Sequence, residues 1–134
     1  MDSQILRKAV ELGQSGQRVL IGTANRKMEP HIAAGAKIEL VDDIHVMVSD
    51  WFCRTTVSNL LENPSVCLVA MDPGNDIGYQ LIGVSEQIEN MAVLGCWTPE
   101  VDAKASMPQV ERRVLVMIYS VLEFRQGPHT DSEI

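Results

Sequence analysis

The run Val114–Phe124 is apolar on nearly both faces. A strand of that kind has to be covered on two sides. In a small barrel one side is the interior. The other needs a second surface, supplied either by a partner subunit or by an N-terminal helix of the same chain.

The rest of the chain supplies the other walls. Arg18–Ala24 is short and rich in β-branched residues, and Asn25–Pro30 is a polar turn. His31–Leu40 reads as one extended segment, followed by a turn at Asp42-Asp43 and a strand in which Ile44, Val46 and Val48 alternate with His45, Met47 and Ser49. These three are expected to form an antiparallel meander. Val66–Met71 is a compact apolar strand, Asp72–Asp76 a dense turn signal, and Gly78–Glu89 a long alternating strand. Six strands in 134 residues indicate one mainly β domain, and closing them into a barrel removes exposed edges.

Two or three short helices complete the pattern. Ile5, Leu6, Ala9, Val10 and Leu12 recur at helical spacing over residues 1–16, with stops expected near Gly13 and Gly16. Val57, Leu60 and Leu61 share a face between Thr55 and Glu62, with Thr55 or Thr56 as cap and Asn63-Pro64 as the end. Thr98-Pro99-Glu100 opens a third helix, running toward Met107. The polar stretch 126–134 reads as a flexible tail.

The net charge of −7 and scattered basic residues argue against nucleic acid and anionic membranes as partners. Cys53, Cys67 and Cys96 are odd in number and lack C-x-x-C spacing, which argues against disulfides and structural zinc and for free thiols in a reducing, cytoplasmic setting. His31, His45 and His129 have no mutual spacing that makes a metal site. No nucleophile elbow, zincin, P-loop or dinucleotide fingerprint occurs, and no side chain stands out as catalytic. No signal peptide or membrane-length apolar run is visible.

Chemistry concentrates in Val48–Thr56, where a strand gives way to a helix. The first turn of a helix leaves N–H groups unpaired and favours an anion. Arg54, Thr55 and Thr56 at that point would complete a phosphate pocket, since a guanidinium can donate two bonds to phosphate. The plainer alternative is a capping threonine beside a solvated arginine. His31–Lys37, with Ala33, Ala34, Gly35 and Ala36, is small-chained for a strand. Such a segment either lets a flat ligand approach the backbone or fills a crowded barrel interior. Trp51 and Trp97 read as packing residues before ligand platforms.

The order of these features resembles the pyridoxamine 5′-phosphate oxidase-like family of split barrels that bind flavin mononucleotide (FMN). The resemblance rests on Pro30-His31, Val48-Ser49-Asp50, Arg54-Thr55-Thr56, Asn59-Leu60-Leu61-Glu62-Asn63-Pro64-Ser65-Val66 and Gly78-Tyr79-Gln80-Leu81-Ile82-Gly83, over roughly residues 17–90. It implies a six-stranded antiparallel split β-barrel that forms a homodimer with flavins between the subunits. It places the flavin phosphate on Arg54, Thr55 and Thr56, and the ring edge on the backbone of Val48 and Ser49, with Asp50 following. Ile32, Ala33, Ala34 and Gly35 would run beneath the ring and ribityl chain, with His31 beside them. One departure is that the arginine stands at 54, where many members place a basic residue at the position of Thr55 or Thr56. The implied role is an oxidoreductase or electron-carrying flavoprotein. A haem-binding barrel or a deazaflavin-dependent reductase are the alternatives, and the pyridoxamine phosphate oxidase substrate segment is not evident.

Overall fold

The computed structural model describes residues 1–94, 109–128 and 133–134. The helix expected from Thr98, together with Cys96, Trp97 and His129, lies outside the described residues.

Helix α1 (Ser3–Gly16) begins where the Asp2 side chain accepts the Gln4 N–H at 2.8 Å, the geometry of an N-cap. Leu6, Ala9, Val10 and Gly13 form its buried stripe. Gly13 does not stop the helix. A Cβ there would come within 2.7 Å of Ile38 Cγ2, so the glycine admits close packing on the sheet. The helix ends at Gln17, which turns left-handed at φ 54°.

Seven strands follow: β1 (Val19–Ala24), β2 (Pro30–Gly35), β3 (Lys37–Leu40), β4 (His45–Trp51), β5 (Ser65–Asp72), β6 (Ile77–Leu94) and β7 (Gln109–Glu123), with helix α2 (Arg54–Glu62) between β4 and β5. They form one antiparallel sheet in the order β2-β1-β5-β6-β7-β4-β3. The count is seven, not the expected six, because the segment His31–Leu40 breaks at Ala36. Its first half pairs with β1 and its second with β4. The simple meander is thereby corrected: β2 and β3 are consecutive in the chain but sit at opposite ends of the strand order. Ala36 is the corner where the curled sheet's edges meet, and its N–H donates to Asp50 O at 3.2 Å. No ladder joins β2 to β3 among the described residues, so the sheet wraps without closing.

The interior is aliphatic. Ile21, Ile38, Val46, Val48, Leu68, Leu81, Val114 and Val116 are fully buried and form one cluster with Leu6 and Val10 of α1. Trp51 is also fully buried and donates its indole N–H to Val48 O at 3.0 Å, a packing role as expected. β6 and β7 extend beyond the expected strands, because polar residues pair there too. Arg113 lies opposite Glu89 and binds its carboxylate at 2.7 Å. On β7 the inward row is Val114, Val116, Ile118 and Val121, and the outward row Leu115, Met117 and Tyr119 is half-buried to exposed.

The stretch after β7 is held at both described ends. Asp76 accepts the N–H groups of Gln126 and Gly127 at 2.6 and 2.8 Å, and Ile134 N–H donates to Val121 O at 3.0 Å.

Two polar contacts fix elements around the candidate site. The buried Asn59 of α2 donates to the buried Thr23 hydroxyl of β1 at 3.1 Å. Asn59→Leu is expected to cost about 1–3 kcal/mol, because it strands the Thr23 hydroxyl. Adding Thr23→Val should recover part of that loss, read as the urea midpoint. On β4, His45 binds Asp42 through Nδ1 at 2.9 Å and Glu86 of β6 through Nε2. The Asp42 carboxylate is the main cause that raises the His45 pKa, against desolvation and with help from Glu86. A raised folded value means that this contribution is complete below the ordinary 6.5 and lost as pH rises through the folded value. The Tm difference between wild type and His45→Ala should therefore be largest on the acidic side of neutrality, above the carboxylate range, and shrink toward alkaline pH.

Candidate functional site

The junction between β4 and α2 is shaped by a bulge. The β4–β7 register shifts between Ser49 and Trp51, and Asp50 between them has φ 61°. The bulge turns Trp51 into the core and sends Phe52-Cys53 toward α2. Arg112 of β7, itself buried, braces this turn by donating from Nη1 to Phe52 O at 2.6 Å and to Val110 O at 3.2 Å.

The N-cap of α2 is Cys53, with φ −64° and ψ 117° and no side-chain capping hydrogen bond. This corrects the expectation that Thr55 or Thr56 caps the helix. Arg54, Thr55 and Thr56 occupy the first three helical positions instead. Without a hydroxyl or carboxylate at the cap, the first-turn N–H groups keep their capacity for an anion. Arg54 and Thr55 are exposed, while Thr56 is fully buried and its Oγ1 has no hydrogen-bond partner. A buried hydroxyl without a partner is costly unless something else satisfies it.

β2 approaches this helix end. His31 is half-buried, its Nε2 lies 3.8 Å from Cys53 Sγ, and its Nδ1 is a second buried polar atom without a partner. Beyond it Ile32 is 68 % exposed and Ala34 is exposed, so one face of β2 is an open apolar shelf. Ala33 packs against the core and Gly35 is buried, where a Cβ would meet Val48 Cγ1 at 3.1 Å. Small size at Gly35 thus answers to barrel packing, and at Ala34 it leaves the shelf open.

The sequence-predicted residues divide accordingly. His31, Arg54, Thr55 and Thr56 come together around the α2 N-terminus, with Ile32 and Ala34 on the adjoining strand. Val48 points into the core and has only backbone to offer a ligand, and Ser49 is half-buried beside it. Asp50 instead lines a hollow of about 460 Å³ with Gln14, Gln17, Lys37 and Glu39, which none of Arg54, Thr55 and Thr56 lines.

Sequence reasoning missed Cys53 and Arg112 as parts of this site. Burial pushes the Cys53 thiol up, but the N–H and hydroxyl groups of Thr56 and Thr55 outweigh it and hold the pKa below the ordinary 9.0. The Thr56 hydroxyl favours the thiolate there, although it makes no full hydrogen bond to the thiol. Cys67 goes the other way, pushed up by burial against a weaker Gln80 effect. One signal was available for Cys53: it stands directly before the helix that Arg54 begins. Arg112 carried none, because its contact spans 60 residues.

Among the described residues no cluster of His, Cys, Asp and Glu could hold a metal ion, and no helix is long and apolar enough to cross a membrane. No family model matches the chain. The uncharacterized protein MJ0282 of Methanocaldococcus jannaschii is 32 % identical over 114 residues, covering 82 % of this chain and 74 % of that one. Among solved structures, an FMN-binding protein from Syntrophomonas wolfei superposes with a TM-score of 0.63 at 20 % identity, covering 96 % of this chain and 91 % of that one. A putative pyridoxamine 5′-phosphate oxidase from Lactobacillus delbrueckii gives 0.59 at 18 % identity, covering 85 % and 89 %. HutZ, the haem storage protein of Vibrio cholerae, gives 0.57 at 13 % identity, covering 92 % and 96 %. These three are likenesses of fold.

Proposed function

Because the chain belongs to the family of the M. jannaschii protein and shares the fold of the pyridoxamine 5′-phosphate oxidase-like proteins, we propose that it binds FMN and serves as an oxidoreductase or electron-carrying flavoprotein. The observation that carries this reading is the α2 N-terminus. It has no side-chain cap, and a buried, unpartnered Thr56 hydroxyl sits in its first turn. The donor set fits a phosphate. The first-turn N–H groups, the Thr55 and Thr56 hydroxyls and the Arg54 guanidinium all donate to an anion. The open apolar face of β2 at Ile32 and Ala34 would carry the flat part of the cofactor. Bound FMN would supply the electron chemistry, while the chain holds the tail, shields one ring face and sets the polarity around it.

The test is direct. Purified protein titrated with FMN should quench flavin fluorescence to a saturable, one-per-chain endpoint. A preparation that neither carries nor takes up flavin would defeat the reading. Mass spectrometry of the released ligand separates FMN from a deazaflavin. For the haem alternative His45 is a poor ligand, since both of its ring nitrogens are engaged by carboxylates. His31, whose Nδ1 has no partner, is the candidate among the described residues, and a haem band in place of a flavin band in the absorption spectrum would favour that reading.

The homodimer is part of the same proposal. The outward row Leu115, Met117 and Tyr119 of β7 is an apolar strip that a second copy would cover. Light scattering should return about twice the 14.8 kDa chain mass. A monomer mass at micromolar concentration would leave the strip without this partner.

A further inference from the structure

Cys53 has a second set of properties that flavin binding does not use. It caps a nine-residue helix with its sulfur at the N-terminal end, where the helix dipole favours a negative charge. His31 Nε2 stands 3.8 Å from Sγ. The Thr56 side chain is fully buried, and its hydroxyl lacks a partner beside that sulfur. It is a donor beside that sulfur, and in flavin-free protein the thiolate is an acceptor within its reach. The titratable side chain in contact with Sγ is His31 from β2; Arg54 follows Cys53 in the chain, and Arg112 from β7 holds the carbonyl of the preceding Phe52. The residue is half-buried, so small molecules can reach it.

We propose that Cys53 is a peroxide-reactive thiol, a site of reversible oxidation whose substrate class is hydrogen peroxide and small organic hydroperoxides. The thiolate sulfur attacks the terminal oxygen of the peroxide. The S–O bond forms, the O–O bond breaks, and the sulfur gives up two electrons. The leaving hydroxide or alkoxide takes a proton from solvent and departs as water or alcohol. The product is a sulfenic acid, which a dithiol reductant returns to the thiol with release of water. The thiolate and a phosphate would compete for the same first-turn N–H groups. The reaction on flavin-free protein is nevertheless independent of FMN, so a failure of the flavin reading leaves it standing.

The experiment uses the full chain, reduced and free of flavin. Alkylation by iodoacetamide is followed across pH, with each cysteine resolved by peptide mass spectrometry. A second sample receives hydrogen peroxide and then dimedone, which traps sulfenic acid. The expected midpoint for Cys53 lies below that of an ordinary free thiol, and at neutral pH it should react about tenfold faster than Cys67. The dimedone adduct should fall on Cys53. Thr56→Val should raise the midpoint and slow neutral-pH alkylation about threefold, while Thr56→Ser keeps both. A wild-type midpoint at or above ~8.5, or no dimedone adduct on Cys53, overturns the proposal, and neither result depends on the variants folding.

Discussion

Gly83→Val should leave no soluble, folded protein. Gly83 lies on β6 at a register shift against β7, where the two backbones approach closely. A Cβ there would collide with Met117 O and touch Ile118 Cδ1 at 3.0 Å. The obstacle is a backbone carbonyl, so no rotamer change relieves it. β7 has little freedom to yield, being hydrogen-bonded to β6 on one side and β4 on the other. Overpacking of this kind costs about 3 kcal/mol or more, a large part of the stability of a domain this size. Gly83→Ala, with a single methyl, should survive with a much lower urea midpoint. Gly74→Ala is the control, since its Cβ would meet only the Asp72 side chain at 3.4 Å in an exposed turn. A Gly83→Ala midpoint equal to wild type would refute the argument. The same reasoning explains the other glycine of the Gly-Tyr-x-x-x-Gly pattern, since a Cβ on Gly78 would lie 2.5 Å from Phe124 O.

Those glycines show what the sequence could and could not convey. Their spacing was readable as a motif, but the reason for it sits on β7 and on Phe124 just after it, about 40 residues away, and was not. Local signals performed well where one element decides its own fate. The alternation in β4 and the Asn63-Pro64 ending appear in the structure, whereas the expected face of Val57, Leu60 and Leu61 on α2 does not: Thr56, Asn59 and Leu60 are buried and Leu61 is exposed. Asn63 even stabilises the turn, accepting the Ser65 N–H at 3.2 Å. Local signals misled where pairing decides. Nothing within His31–Leu40 announces that its halves belong to opposite edges, because the break at Ala36 is imposed by β1 and β4. Gly13 looked like a helix stop because a glycine's packing role depends on Ile38, a contact invisible in a linear pattern. The candidate site was legible as a place, the strand-to-helix junction. Its division of labour was not. The cap is a cysteine, Thr56 is buried, and the Asp50 bulge faces a different hollow.

Arg54→Glu should weaken FMN binding by about a hundredfold without weakening the fold. The two effects separate because of where Arg54 stands. It is the first residue of α2 and is exposed, and a carboxylate in the first turn of a helix favours the helix dipole. Arg54 also interacts within the fold, so Tm must be measured alongside, with little change expected. At the ligand the reversal acts twice. On the proposed reading it would remove a charge-assisted contact to phosphate of about 1.5–3 kcal/mol and set a like charge against the dianion. Together these reach roughly 3 kcal/mol, or about two orders of magnitude in Kd. Arg54→Lys keeps the charge but loses the planar fork, so its loss should be only several-fold. Arg18→Glu makes the same change in net charge, in a hollow of about 370 Å³ between the end of α1 and β5. If affinity followed only overall charge, the two reversals would be equal. A local site requires Arg18→Glu to bind nearly as wild type while Arg54→Glu fails, and equal affinities in the two variants would remove Arg54 from the phosphate site.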